Sequence, residues 1–177
     1  MRLYTMGHGT ASEETFVALL SDAGIARVVD VRTAPGSKRN PQFMRAAMER
    51  WLPDAGIAYE WEKELGGFRK ADAESRNVAL RHPAFRGYAD HMREPSFWSA
   101  LDRVLDIAAH MPTVVMCSES VWWRCHRRLL SDAAMLVRGV DVVHLMHDGR
   151  IVPHAPTEGV RREGELLVYD AGQGRLG

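Results

Sequence analysis

Cysteine is scarce in this sequence, because only Cys117 and Cys125 occur among 177 residues. Two cysteines cannot build the dense disulfide framework of a small secreted domain. We therefore expect free thiols in a cytoplasmic protein, where thiols stay reduced. Both cysteines lie within one short stretch, residues 113–130, which makes that stretch the first candidate for chemistry.

Net charge is also absent, since 23 Lys and Arg balance 23 Asp and Glu. This balance argues against general binding of polyanions but leaves room for a local basic patch. No apolar run approaches the length of a membrane span, and the amino terminus lacks a signal-peptide pattern. With no internal repeat and no low-complexity tract, we expect a single α/β domain over residues 1–177.

Apolar runs typical of strands alternate with segments of helical periodicity, which predicts a three-layer α/β domain with a mostly parallel, five-stranded sheet. We expect a flavodoxin-like or Rossmann-like strand order. The predicted strands are residues 2–6, 25–31, 57–61, 113–116 and 140–146. Predicted helices begin near Thr10, Pro41, Ser96 and Cys125. Residues 68–95 are expected to form a helical cap, and residues 153–177 a peripheral tail.

The stretch around the cysteines ends a buried strand and begins a helix. Cys117 follows the apolar run Thr113–Met116, and Cys125 to Arg128 open a segment with helical spacing. A first helical turn lowers the pKa of a thiol and attracts anions. We therefore predict that one of the two cysteines is a nucleophile, whereas the alternative is that both are small buried core residues.

The carboxyl ends of the predicted strands carry polar side chains from four separate parts of the chain. Parallel strands place these ends at one edge of the sheet, where α/β proteins bind ligands. The predicted catalytic residues are Cys117, Cys125, His126, Glu119 and His8. The predicted anion-binding residues are Arg32 and Arg127 with Asp30, and the alternative for Asp30 and Arg32 is an ion pair that holds the loop.

Two other kinds of site are alternatives at the same edge. Cysteine and histidine suit zinc or iron, but the adjacent residues Cys125 and His126 lie about 100° apart on a regular helix and cannot face one point. We therefore predict no metal and no cofactor, with zinc or iron as the alternative. Trp122 and Trp123 suit stacking on a nucleic-acid base or, alternatively, a hydrophobic cover over the helix start.

Several motifs in order resemble a known family. They are Thr5-Met6-Gly7-His8, Val29-Asp30-Val31-Arg32 with Pro35 and Ser37, Pro41 with Phe43, Leu65-Gly66-Gly67, and Cys117, Glu119 and Cys125-His126-Arg127. From residue 3 to about residue 146 this pattern is similar to the DUF488 family, a domain of unknown function. The resemblance implies a compact α/β domain of the bacterial cytoplasm and no settled activity. Gly9 stands where the family commonly has serine, and Trp122 where it commonly has proline.

Together these features predict a small cytoplasmic enzyme with a Cys/His/Arg site at the carboxyl edge of the strands. Its expected partner is a small anionic or nucleotide-like substrate. We expect no association with a membrane. The alternative is a non-catalytic module that binds a metal or a nucleic acid.

Overall fold

In the computed structural model, which describes residues 1–172, the chain builds a six-stranded sheet. Its strands are β1 (Arg2–Gly7), β2 (Arg27–Asp30), β3 (Ala58–Trp61), β4 (Thr113–Cys117), β5 (Asp141–Leu145) and β6 (Ile151–Pro153). The first five strands are parallel, and β6 pairs antiparallel with β5. The prediction of a mostly parallel α/β sheet is confirmed, with six strands instead of five.

The strand order is β3-β2-β4-β1-β5-β6, which differs from both orders expected from the sequence. In neither the flavodoxin-like nor the Rossmann-like order does the fourth strand lie between the first and the second. Here Val114 pairs with Tyr4 of β1 on one side and with Val28 of β2 on the other. The fully buried run of β4 suits this central position, but an apolar run carries no information about which strands flank it.

Helices cover both faces of the sheet, so the three-layer arrangement is confirmed. They are α1 (Glu13–Asp22), α2 (Arg45–Asp54), α3 (Pro83–His91), α4 (Pro95–His110) and α5 (Arg127–Asp132), and α5 continues into a π-helical segment, Ala133–Val137. Within residues 1–172, no helix has the length and apolarity needed to cross a bilayer.

Three predicted helix starts differ from the structure. The cap of α1 is Ser12, whose hydroxyl accepts the Thr15 N–H at 3.1 Å, and not Thr10. Residues from Pro41 form only a short 3-10 turn, and α2 begins at Arg45. The helix expected at Cys125 begins two residues later, because a 3-10 turn over Trp122–Arg124 precedes it.

Alternation along β4 decides which layer each of its side chains joins. Successive side chains of a strand point to opposite faces. Val114 and Met116 pack in the core beneath α1 and α2, whereas Val115 and Cys117 pack in the core beneath α4 and α5. The Cys117 thiol therefore points toward the layer that contains Cys125 and α5.

The two peripheral segments cover the same layer. Within residues 68–95 the structure has one helix, α3, which contacts α5. The carboxyl-terminal part forms a hairpin, β7 (Val160–Glu163) and β8 (Leu166–Tyr169), whose Leu167 and Tyr169 are buried in the core beneath α4 and α5. The last five residues of the predicted tail, 173–177, lie outside the described residues.

Candidate functional site

A cavity of about 350 Å³ opens beside the carboxyl end of β4. The loops after β2 and β4, the start of α3 and the residues before α5 form its wall. The wall includes six titratable side chains, namely Arg32, Cys117, Glu119, Arg124, Cys125 and His126. Five of these six residues were predicted from the sequence, and Arg124 was not.

Cys125 and His126 form a thiol–imidazole pair in this wall. The Cys125 Sγ atom lies 3.5 Å from Nδ1 of His126, and Nε2 of the same ring lies 2.9 Å from the Val31 carbonyl oxygen. A carbonyl oxygen only accepts hydrogen bonds, so Nε2 carries the proton. Burial lowers the pKa of His126, which keeps the ring neutral. The lone pair of Nδ1 therefore faces the thiol and can accept its proton.

Arg127 binds both sulfur atoms from the first residue of α5. Its Nε atom donates to Cys117 Sγ at 2.9 Å, and its backbone N–H donates to Cys125 Sγ at 3.5 Å. Its other two nitrogens donate to Thr5 Oγ1 and to the Glu119 carbonyl oxygen. The side chain is only 1% exposed. A buried guanidinium needs a compensating negative charge, and the sulfur pair is the nearest group that can supply one.

Both thiols accept a hydrogen bond from Arg127, but they differ in acidity. Burial raises the pKa of Cys117 well above its usual value, and the neighbouring Cys125 adds to the rise. Burial also acts to raise the pKa of Cys125, but its hydrogen bond with Cys117 and the charge of Arg127 outweigh that effect and lower the pKa to about 6. Although the guanidinium lies closest to Cys117, we assign the shared negative charge to Cys125, because it also accepts the Arg127 backbone N–H.

Asp30, Arg32 and His8 form a second cluster, on the face of the sheet that α1 and α2 cover. Both Asp30 carboxylate oxygens accept from Arg32, at 2.8 and 2.6 Å, and Arg32 Nη1 lies 3.3 Å from His8 Nε2. Asp30 also accepts the Tyr59 hydroxyl at 2.7 Å. Arg32 reaches the cavity wall, but these partners engage its guanidinium and neutralise its charge. The predicted ion pair between Asp30 and Arg32 is therefore present.

His8 lies apart from the sulfur atoms. Its ring stacks on Phe43 at 4.2 Å, Nδ1 donates to its neighbour's carbonyl at Gly9, and burial lowers its pKa to about 4. Both ring nitrogens therefore have partners, and the ring does not line the cavity. The structure thus places His8 where it orients Arg32 and where it does not meet either thiol.

Glu119 contributes its backbone more than its side chain. Its carbonyl oxygen accepts from Arg127 Nη2 and lies 3.7 Å from Cys117 Sγ, whereas its carboxylate accepts, among residues 1–172, only the Val121 N–H, at 3.4 Å. The loop passes very close to β1 here, since a Cβ at Gly7 would clash with the Glu119 carbonyl. Glu119 therefore fixes Arg127 beside the sulfur pair through its backbone.

Arg124 is the cation that the sequence prediction missed. It lies in the exposed 3-10 turn before Cys125, and its side chain makes no hydrogen bond or ion pair within the described part of the chain. Unlike Arg32 and Arg127, it is thus free to attract an anion into the cavity. Arg124 lies six residues beyond Ser118, in the loop that leads from β4 to Cys125. This position beside Cys125 is the feature of the sequence from which it could have been predicted.

A buried chain of hydrogen bonds continues from Arg127 into the protein. Arg127 Nη1 lies 3.1 Å from Thr5 Oγ1, Thr5 Oγ1 lies 2.7 Å from His144 Nδ1, and His144 Nε2 lies 3.0 Å from His154 Nδ1. His154 Nε2 then lies 2.8 Å from the Asp132 carboxylate. Since the guanidinium only donates and the carboxylate only accepts, donors can run in one direction from Arg127 to Asp132. Of these residues, only Arg127 was among the site residues predicted from the sequence.

The aromatic residues near the site have structural partners. Trp122 stacks on His144 with ring centroids 4.2 Å apart, while Trp123 is 48% exposed. Burial and the neighbouring His154 lower the pKa of His144 to about 3, so the stacked ring is neutral. Trp122 therefore covers His144 of the buried chain, whereas its two interpretations from the sequence were stacking on a base and a cover over the helix start. Across residues 1–172 no group of three or more His, Cys, Asp and Glu side chains is arranged to hold a metal ion.

Comparison with known proteins gives one match and one negative result. No curated protein matches this chain. Residues 12–134 match the family described as domain of unknown function DUF488. This region spans β2, β3, β4 and the whole cysteine loop, and it covers most of the chain. The chain therefore belongs to the DUF488 family.

Proposed function

We propose that the protein is a thiol-dependent enzyme of the cytoplasm that acts on a small anionic or nucleotide-like substrate in the cavity. The observation that carries this proposal is the thiol–imidazole pair. Cys125 Sγ lies 3.5 Å from Nδ1 of His126, and the Val31 carbonyl fixes which nitrogen of the ring is free. A thiol next to an oriented base is the arrangement that nucleophilic catalysis requires.

In this proposal each residue of the wall has a separate task. Cys125 attacks an electrophilic atom of the substrate as a thiolate, and His126 accepts the proton at Nδ1 from the fraction of Cys125 that is still a thiol. Arg127 stabilises the negative charge on sulfur from a position that solvent does not reach. Arg124 attracts the negative charge of the substrate. The cavity volume of about 350 Å³ is that of a small-molecule pocket, which supports a small ligand over a nucleic-acid strand.

The test is site-resolved alkylation at pH 7. With a pKa of about 6, about 90% of Cys125 is thiolate at this pH, against about 1% for a thiol whose pKa is 9 or higher. We expect a single equivalent of iodoacetamide to label the Cys125 peptide in the wild type and in Cys117→Ser. In Cys125→Ser the rate should fall at least about 50-fold. Labelling that needs prior unfolding, or that falls equally on both cysteines, would contradict the proposal.

The anionic substrate is tested with a pair of reagents that differ in charge. The ratio of the rate with iodoacetate to the rate with iodoacetamide should be higher for Cys125 than for a free small thiol, because Arg124 attracts the carboxylate. Arg124→Gln should lower this ratio. Arg150→Gln is the matched control, since Arg150 is exposed and paired with Asp148 outside the cavity. An unchanged ratio in Arg124→Gln would remove the anionic substrate from the proposal.

A further inference from the structure

The nucleophile proposed above leaves the second thiol of the cavity without a task. Cys117 lines the same cavity as Cys125. One residue, Arg127, binds both, through Nε at 2.9 Å from Cys117 Sγ and through its backbone N–H at 3.5 Å from Cys125 Sγ. A core cysteine with only a packing role needs neither a cation nor a cavity wall beside it.

The position of the two cysteines suits the formation of a bond between them. Cys117 ends β4, and Cys125 follows a seven-residue connection, 118–124, whose only regular structure is the short turn Trp122–Arg124. A disulfide needs its sulfur atoms about 2.05 Å apart. Both sulfur atoms already lie within hydrogen-bond distance of Arg127, so a movement of this loop can bring them together to close the bond.

We propose that Cys125 and Cys117 carry out thiol–disulfide exchange with a small acidic disulfide, with Cys125 as the attacking thiol and Cys117 as the resolving thiol. This inference rests on the proposed function, because it uses the same nucleophile in the same cavity. It adds the substrate class and assigns a task to Cys117.

The first half of the exchange consumes the substrate. Cys125 thiolate attacks one sulfur of the substrate disulfide, which breaks the substrate S–S bond, forms a mixed disulfide and releases the first substrate thiolate. Cys117 loses its proton and attacks Cys125 Sγ, which releases the second thiolate and leaves a Cys117–Cys125 disulfide. The two thiolates take up two protons, so the substrate gains two electrons and the protein loses two.

The second half needs a reductant, which is a low-molecular-weight thiol in this proposal. Two such thiols open the Cys117–Cys125 disulfide in the same two steps and become a disulfide themselves. Arg127 favours this half, because a cation that stabilises the thiolate stabilises the reduced protein and makes the disulfide easier to reduce.

We infer an acidic substrate from the arginine residues at the cavity, because they differ in whether their guanidinium groups already have partners. The nitrogens of Arg127 donate to Cys117, Thr5 and the Glu119 carbonyl, and Arg32 is paired with Asp30. Arg124 is left as the cation of the wall that can meet a carboxylate of the substrate.

The experiment is to mix the reduced protein with glutathione disulfide, which carries carboxylates, and to follow the products by intact-mass spectrometry. The wild type should lose two hydrogens and retain no adduct, whereas Cys117→Ser should accumulate one glutathione on Cys125. Cystamine, a cationic disulfide, should react more slowly than glutathione disulfide. Arg124→Gln should reduce that preference about threefold or more.

Three results would overturn the inference. A wild type that retains the glutathione adduct shows that Cys117 does not resolve it, and a wild type that does not react shows that there is no exchange. An equal preference in the wild type and Arg124→Gln removes the acidic substrate. If the alkylation of Cys125 at pH 7 is fast while exchange fails, only this inference falls; if alkylation also fails, the proposed function falls with it.

Discussion

Replacing Arg127 with methionine should raise the midpoint of the alkylation profile of Cys125 from about 6 to above 8.5, the value of a free cysteine. The thiolate fraction at pH 7 would then fall at least about 30-fold, and the alkylation rate would fall with it. The reason is that burial acts against the thiolate, and the Arg127 charge is one of the two main influences that overcome burial.

The matched control for this substitution is Arg128→Met. Arg128 is the next residue of α5, but its Nε atom donates to the Thr157 hydroxyl at 2.8 Å and makes no hydrogen bond to either sulfur atom. Its replacement should leave the midpoint near 6. Arg127→Lys keeps a positive charge without the planar guanidinium group. The midpoint of its Cys125 alkylation profile should therefore lie between those of the wild type and Arg127→Met. If Arg127→Met and Arg128→Met have the same midpoint, Arg127 does not set the acidity of Cys125.

Replacing Asp132 with alanine should lower the free energy of unfolding by about 3 kcal/mol or more, measured by urea denaturation. The carboxylate of Asp132 is fully buried and accepts from His154 Nε2, the Thr157 N–H and the Tyr169 hydroxyl. Each buried donor that loses its acceptor costs about 1 kcal/mol or more. The same change removes the last acceptor of the chain that starts at Arg127.

A surface aspartate gives the control for Asp132. Asp102 accepts two hydrogen bonds from Arg138 at 2.7 and 3.1 Å, but its side chain is 47% exposed. We expect Asp102→Ala to lower the free energy of unfolding by about 1 kcal/mol or less, because exposed ion pairs contribute little. Similar losses for the two variants would show that the buried chain does not stabilise the fold as its hydrogen bonds indicate.

The sequence sufficed for the α/β class and for the edge of the sheet that holds the cavity. Apolar runs and helical periodicity identify the parallel strands, and parallel strands bring their carboxyl ends together whatever their order. Cys117, Cys125 and His126 could therefore be assigned to one site although the strand order was wrong.

The division of the predicted site into two clusters was not visible in the sequence. The face that a strand residue occupies depends on how neighbouring strands are paired. Cys117 points toward α5. Asp30 and His8 belong to the cluster on the face that α2 covers, and the guanidinium of Arg32 is part of that cluster. Knowledge of the pairing between β2 and β4 would have been needed to separate them.

Close approaches between distant segments were also beyond the reach of sequence patterns. Gly67 was visible in the sequence only as part of a motif, whereas its constraint is space, because a Cβ there would clash with the imidazole of His126. In contrast, the predicted helix start near Cys125 did indicate that Arg127 lies next to the thiols. The inward direction of Arg127 depends on Thr5 and the Glu119 carbonyl, two partners that no local spacing reveals.

The central claim is that folding makes Cys125 an acidic thiol beside His126 in the wall of the cavity. The most direct measurement is the rate of alkylation of the wild-type Cys125 peptide by iodoacetamide between pH 4.5 and pH 9.5. We expect a single rise with a midpoint near 6, since the hydrogen bond with Cys117 and the charge of Arg127 lower the pKa to about 6. A midpoint at about 8.5 or above, the value of a free cysteine, would contradict the account.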